Sequence, residues 1–565
     1  MTRAMWYSTD WSRARSRTAT ATTAAIRTLS ELARSVPVYD PGVTRDLLLE
    51  RLHEIHDAHG QIRHRDLATL CAEMRIPLAE GYEVATFYHR LGVVRDDAAP
   101  ADPAPVRVCD GVPCLVRGAR DLGAGIERAT DRSVRWGPCI GQCDRAPAIE
   151  VGAHVVAPAT ADAAAEAVRN GNVRATPPEA VAFDAYVARG GYALLRSCLA
   201  GERDPEGVIA TLDQAGLRGL GGAGFPTARK WRTVRSFPGP RYVVLNADEG
   251  EPGTFKDRWC FEADPHRVLE GLLIGCWAVG ARECYVYLRD EYAGIRAMLA
   301  REIAALDAGR VSPVRIHLRR GAGAYVCGEE SAMLESIEGR RGYPRHRPPY
   351  AAEVGLFGRP TLIQNVETMY WVPEILSRGP EWWRSHGRQG RGGLRLFSLS
   401  GRVRRPGVYV APAGISVREL IDQHGGGMEE GHALAAYLPG GAAGGILPAS
   451  LDGLPLDFDT LQAHGAFIGS AAVIVLSDRD DVAAVARELM RFFRDESCGQ
   501  CAPCRVGTEK ALTLMNGPRW NVPLVRELSA TMADASICGL GQAAPNPVLS
   551  VLRFWPEAVG AERSP

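Results

Sequence analysis

Apolar positions fall into two periods along this chain, and the switches between them mark its domains. Near the start, Leu67, Leu70, Cys71 and Met74 recur at helical spacing, which places Cys71 on a core face. "VRVC", ending at Cys109, is a short β-branched strand, and Gly137, Pro138 and Gly141 make a tight loop further on. In the middle, apolar strands such as Tyr242–Leu245 end in polar or glycine-rich loops, and "RIHLRRGAGAYVCGEESAMLE" repeats that plan as strand, glycine loop and helix. After Gly392, "LRLFSLSGRVRRPGVYVAPAGISVRELIDQHGGG" predicts strand, hairpin, strand and helix, a β-grasp-like unit without catalytic residues that reads as a spacer. Towards the end, "VAAVARELMRFFRDE" and "NVPLVRELSATMADA" return to the helical period and predict a small bundle.

At 565 residues the chain is too long for one core. The pattern divides it into an N-terminal arm (1–39), a helical head (40–100), a thioredoxin-like domain (101–170), a linker (171–200), a Rossmann-like domain (201–388), the β-grasp-like domain (389–478) and a helical bundle (479–565). The expected fold class is multidomain α/β. "LEGLLIGCWAVGA" is the most apolar run and is too short to span a bilayer, so no membrane partner is expected. Net charge is zero and no stretch is strongly basic, which argues against nucleic acid. Arginine and lysine together number 66, and only three are lysine, so the arginine-rich start says little locally. It superficially resembles a transit peptide but is read as a disordered or docking arm on a cytoplasmic protein.

Fourteen cysteines in a reducing compartment point to metal ligands rather than disulfides. Cys498, Cys501 and Cys504 are spaced C-x2-C-x2-C, with Cys538 34 positions later. Three close thiolates and one distant one suit a [4Fe–4S] cubane, whereas zinc is usually held by two separated pairs. Cys109, Cys114, Cys139 and Cys143 form two pairs, C-x4-C and C-x3-C, which suit the two irons of a [2Fe–2S] centre. Zinc remains the competing reading for this second set. Cys198, Cys260, Cys276 and Cys284 have no spaced partner, and Cys327 reads as a small buried neighbour.

Between the two sets lies candidate ligand chemistry. In "GLRGLGGAGFPTARKW", Gly219, Gly221, Gly222 and Gly224 remove side chains where a phosphate or flavin ring could reach backbone N–H groups, and Lys230 supplies a cation. In "RYVVLNADEGEPGTFKDR", Asn246, Asp248, Glu249 and Glu251 follow a strand end, where open α/β sheets bind ligands. Glu329 and Glu330 open a helix, where carboxylates are favoured whatever their function. Asn365, Glu367 and Thr368 form a cap or a ligand contact.

Taken together, these motifs resemble the flavin- and NADH-binding subunit of respiratory complex I from about Val187 to Pro547. Residues 40–170 resemble its [2Fe–2S] partner subunit, including "ATFY" in the head. Such fusions occur in hydrogenase diaphorase subunits and in the beta subunits of molybdenum- or tungsten-dependent formate dehydrogenases. "GLRGLGGAGFPTARKW", "RRGYPRHRPPYAAEVGLFGRPTLIQNVET" and "DESCGQCAPCRVGTEKA" look closest to the latter.

The resemblance implies FMN held by Gly219, Gly221, Gly222, Lys230, Asn246, Asp248, Glu249, Tyr325, Gly328, Glu329, Asn365 and Thr368. It implies NAD received by Phe225, Glu251, Glu330, Arg347 and Tyr350. The four cysteines of each set would carry [2Fe–2S] and [4Fe–4S]. Leu220, Arg347, Tyr350 and Gln364 depart from the complex I pattern. No catalytic acid or base is required, although Glu251 and Glu330 are candidates. The implied activity is NAD reduction, with electrons supplied by a catalytic alpha subunit carrying a molybdenum or tungsten bis-pterin cofactor and further Fe–S clusters. A hydrogenase partner is the alternative, and a zinc-bound structural or assembly protein is the alternative of another class.

Overall fold

The computed structural model describes residues 45–560 except Pro518; the N-terminal arm lies outside the described residues. Four parallel strands form the central sheet, in the order Thr361–Asn365, Tyr242–Ala247, Glu283–Leu288, Arg315–Arg320. The last strand in sequence therefore pairs with the first, and the chain reverses direction across the sheet between them. Register sets Asn365 beside Asn246 at the C-terminal ends of these two strands. Loops diverge at such a switch point and leave a crevice.

Helix Pro265–Val279 is the apolar run noted above, and it is buried over nearly its whole length against this sheet. Among the described residues no helix is long and apolar enough to cross a membrane.

Ahead of this domain, Arg135–Gly137, Val106–Cys109, Ile149–Val151 and His154–Val156 form a four-stranded mixed sheet in that order. Helices Ala119–Thr130 and Ala161–Arg169 accompany it. The head contributes helices Leu48–His59, His64–Glu73 and Leu78–Phe87. Arg90, just after them, pairs with Glu150, Asp290 and Glu291, so one half-buried guanidinium joins three segments distant in sequence. Residues 171–200 contain the helices Phe183–Ala188 and Ala193–Leu199. Tyr186 donates to Glu270 at 2.5 Å and the Tyr192 hydroxyl meets His266 Nδ1 at 2.8 Å, so this stretch is packed down rather than extended.

Beyond the central sheet, Gly407–Pro412, Leu394–Gly401, Ala472–Ser477, Leu434–Leu438 and Leu447–Pro448 build a five-stranded mixed sheet. Its central pair, Leu394–Gly401 and Ala472–Ser477, is parallel, as a β-grasp arrangement requires. The chain ends in helices Val482–Asp495, Ala502–Met515, Val522–Ala535 and Asn546–Phe554.

A candidate flavin and nucleotide site between two cysteine quartets

Five segments separated in sequence meet at the switch point, tied by the residues that the motifs singled out. Thr368 Oγ1 accepts the Leu220 N–H at 2.9 Å, anchoring the glycine loop to helix Val366–Arg378. Phe225 O accepts the Gly219 N–H at 2.8 Å and closes the loop on itself. Gly221 lies against Asn365, where a Cβ would approach the Asn365 Cβ to 3.0 Å. Asn246 Nδ2 donates to Gly328 O at 2.9 Å while its Oδ1 accepts the Asp248 N–H at 3.1 Å. Lys230 is ion-paired with Glu330, and Arg347 with Glu329. Glu329 also caps helix Glu330–Ile337 by accepting from the backbone N–H groups of Ser331 and Ala332. Tyr325 donates its hydroxyl to Glu251 at 3.0 Å. Phe225 and Tyr350 stand at the exposed rim, with Tyr350 60% accessible.

The structure distinguishes carboxylates that the sequence treats alike. Both oxygens of Glu249 are engaged, with the N–H groups of Asp257 and Arg258 and the Tyr292 hydroxyl, so its side chain serves the loop rather than the crevice. Asp248 Oδ2 is buried and has no hydrogen-bond partner among the described residues. Burial holds the Asp248 carboxyl well above the usual carboxylate range. Gln364 Nε2 is likewise buried without a partner among the described residues. Burial also raises Glu249 and Glu251 to about 7 each. A glycine-rich loop, an orphaned acceptor and an orphaned donor around one crevice fit a polyhydroxylated phosphate ester with a flat ring.

Behind the crevice sits a cluster that no motif announced as a unit. Lys256 is fully buried and pairs with Asp257 at 2.8 Å and Glu367 at 3.0 Å, and it reaches Asn365 Oδ1 at 3.3 Å. A lysine among so many arginines is its one sequence signal. Its compact ammonium satisfies three converging oxygens, where a planar guanidinium would need more room.

The first cysteine quartet is buried throughout. Cys109 ends its strand, Cys114 lies on the short helix Val112–Val116, and Cys143 opens a turn. Cys139 and Cys143 bring their sulfurs to 3.3 Å. Hydrogen bonds from Cys109 and Cys143 hold the Cys139 thiol low, while hydrogen bonds with Cys114 and Cys139 raise Cys109 and the bond with Cys139 raises Cys143. Sequence reading missed the residues that support this loop. Arg289 donates to the carbonyls of both Cys139 and Glu249, and Arg258 donates to Gly141 O at 2.5 Å and Gln142 Oε1 at 2.8 Å. One guanidinium thus touches the cysteine loop and the acidic loop of the crevice.

In the second quartet Cys504 is buried, while Cys498, Cys501 and Cys538 are half-exposed. Cys504 lies in the first turn of helix Ala502–Met515 rather than in a loop between helices, because the helix starts directly after Cys501 with Pro503 in its first turn. Cys538 is the residue preceding the short helix Gly539–Ala543. Burial raises Cys504 and Cys538 to about 11 each. Glu496, beside this quartet, accepts the Tyr325 N–H at 2.9 Å and so joins the bundle to the crevice. Among the described residues no three His, Cys, Asp or Glu side chains are drawn together around a single ion. Ligands of a cluster bond to different irons and need not converge on one point.

Comparison with known proteins agrees with this geometry. Residues 212–374 match the Nuo51 FMN-binding domain, residues 484–562 the NADH-ubiquinone oxidoreductase-F iron-sulfur binding region, residues 38–172 the thioredoxin-like [2Fe-2S] ferredoxin, and residues 396–447 the SLBB domain. These matches give the two domains that contain the quartets iron–sulfur rather than zinc chemistry. The second NADH-quinone oxidoreductase F subunit of Rhizobium meliloti is 44% identical over 363 residues, covering 62% of this chain and 84% of the relative. The NADH-quinone oxidoreductase F subunit of Aquifex aeolicus is 39% identical over 403 residues, covering 68% and 92%. A chain of NAD+-reducing [NiFe]-hydrogenase in the H2-reduced state superposes with a TM-score of 0.80 at 31% identity, covering 93% of each chain. With FMN, NAD(H), [2Fe–2S] and [4Fe–4S] as its cofactors, the chain belongs to the family of NADH-quinone oxidoreductase F subunits, extended in front by a thioredoxin-like [2Fe–2S] domain.

Proposed function

We propose that this chain is the NAD-reducing diaphorase subunit of a multi-subunit formate dehydrogenase. The observation that carries the diaphorase reading is the crevice itself, built from five segments and flanked by both cysteine quartets. Bound FMN supplies the conversion between single electrons and a hydride. Gly219, Gly221, Gly222, Lys230, Asn246, Asp248, Glu249, Tyr325, Gly328, Glu329, Asn365 and Thr368 would hold it, with Glu249 acting through its backbone. Phe225, Glu251, Glu330, Arg347 and Tyr350 would receive the nicotinamide nucleotide. Lys230 and Glu330 neutralise each other across the crevice mouth, and a bound phosphate group would draw Lys230 away from that pair. Hydride transfer needs no side-chain proton, so Glu251 and Glu330 serve as hydrogen-bond acceptors for the nucleotide. Cys109, Cys114, Cys139 and Cys143 would carry [2Fe–2S], and Cys498, Cys501, Cys504 and Cys538 would carry [4Fe–4S].

The formate assignment is supported by the wording of "GLRGLGGAGFPTARKW" and "DESCGQCAPCRVGTEKA". It implies an alpha subunit with a molybdenum or tungsten bis-pterin cofactor and further Fe–S clusters. A hydrogen-oxidising partner is the second reading, favoured by the end-to-end likeness to a chain of NAD+-reducing [NiFe]-hydrogenase. The test is anaerobic purification with the co-eluting subunits, then NAD+ reduction with formate or with hydrogen. Formate-dependent reduction is expected. Hydrogen-dependent reduction alone transfers the chain to the second reading, and failure of the complex to oxidise NADH with any acceptor dye removes both.

A further inference from the structure

The five-stranded domain, expected as a spacer, reaches the crevice through a glycine-rich turn at residues 439–445, between strands Leu434–Leu438 and Leu447–Pro448. The Ala443 N–H donates to Glu251 Oε1 at 2.7 Å, and the Tyr325 hydroxyl donates to Oε2 at 3.0 Å. Each oxygen of the carboxylate thus has one donor, and the two donors belong to different domains. Among the described residues no lysine, arginine or histidine neutralises Glu251.

The turn has the shape this contact needs. Gly441 O accepts the Gly444 N–H at 3.1 Å, which closes the turn. Gly441 has a φ of +76°, and a Cβ there would stand 2.8 Å from Glu251 Cγ. Glycine alone takes that conformation freely and leaves room for the carboxylate. The same domain grips the acidic loop again where Ser470 Oγ meets Thr254 Oγ1 at 2.8 Å and Ser398 Oγ accepts the Phe255 N–H at 3.1 Å.

We propose that the turn at 439–445 is a positioning element of the nucleotide site: the Ala443 N–H aims the Glu251 carboxylate at the bound nicotinamide nucleotide. The inference rests on the reading that puts Glu251 on the nucleotide side of the crevice. With one lone pair on each oxygen spent on a fixed donor, the remaining pairs point in a defined direction to accept from a ribose hydroxyl or a carboxamide.

A backbone ester at position 443, made by placing lactic acid there, removes the donor and leaves every side chain intact. The Kd for NADH, measured by calorimetry from pH 6 to 9, is expected to rise roughly tenfold, the worth of a hydrogen bond to a charged group. kcat with a soluble dye acceptor should stay within about twofold, because only binding is lost. The midpoint of the pH dependence of binding should move up, since the lost donor favoured the ionised carboxylate. Glu251→Gln should weaken binding and abolish that midpoint.

An ester protein with the parent's Kd and midpoint, beside an altered Glu251→Gln, overturns the role of the turn and leaves Glu251 in the site. Two variants that both match the parent remove Glu251 from the nucleotide site, and the turn with it. If the ester protein fails to retain flavin, Gly441→Ala takes its place. Its added methyl displaces the carboxylate, and weakened NADH binding with kcat retained supports the proposal. Unchanged binding overturns it.

Discussion

The two cysteine quartets are made of the same ligand chemistry but sit in opposite surroundings. Cys109, Cys114, Cys139 and Cys143 are all buried, and their loop is held by arginines from the neighbouring parallel-sheet domain. Cys498, Cys501 and Cys538 are half-exposed, and the hydrogen bonds of Cys504, with the Ser497 hydroxyl and from Thr508, stay within the bundle. Both sites are tied to the crevice by buried polar groups, the first through Arg289 and the second through Glu496, but only in the first is every cysteine enclosed. The second can be approached from outside. Under the proposed function, this difference in exposure favours the bundle for the exchange of electrons with a partner subunit and a more internal role for the thioredoxin-like domain.

The largest expected effect tests that assignment directly. Cys504→Ser should abolish NAD+ reduction driven through the partner while sparing NADH oxidation by a soluble dye, and Cys139→Ser should spare more of the partner-driven rate. Iron analysis and low-temperature electron paramagnetic resonance of each variant would check which cluster is lost. If both variants lose the partner-driven rate equally, the division of roles fails.

Next in size is the dependence of the buried site on its neighbour. Arg289→Met removes the donor to the Cys139 and Glu249 carbonyls and leaves buried Glu291 with Arg90 alone. The expected cost is about 3 kcal/mol of stability, seen as a lower Tm. Selective loss of the [2Fe–2S] signal is expected, with the [4Fe–4S] signal kept. Equal loss of both signals would mean that Arg289 supports the whole fold and not one site.

A smaller contrast concerns access. Under a mild oxidant with chelator, iron should leave the half-exposed quartet before the buried one, as paired spectroscopic time courses would show. The reverse order would put solvent at the wrong cluster.

The smallest effect lies between the quartets, at Glu251. Its folded value of about 7 lies above its ordinary 4.5, so the folded chain binds this proton more tightly than the unfolded one. The resulting stabilisation is fully present below pH 4.5 and is lost as pH rises through 7. At about pH 8 the folded state holds a half-buried carboxylate at a disadvantage, so Glu251→Gln should raise Tm there and change it little at about pH 5. A Tm difference independent of pH would show that Glu251 does not titrate in this range.

The crevice was legible because its parts are local. Glycines at 219–224, a strand running into "NADEGE", and Glu329 at a helix start each declare themselves within a few residues. What escaped was everything that needed partners from afar. Arg289 follows a plain strand and looks like any of its many fellows until the fold sets it between two carbonyls. Ala443 is chemically silent, and only its backbone N–H matters. Glu249 and Glu251 are two positions apart on one loop, yet one is turned into the protein and the other towards the crevice, and no pattern of residue types encodes that rotation.

The sequence by itself determined which chemistry this chain can hold: eight cysteines at cluster spacing, a flavin-type glycine loop and a run of domains in order, because ligand spacing and hydrophobic period are local properties. Only the tertiary structure decided which quartet is the more exposed, which carboxylates are already satisfied, and that a turn from the supposed spacer donates to Glu251. Those outcomes depend on hydrogen bonds between groups far apart along the chain, formed only once burial has left each polar atom to find its partner inside.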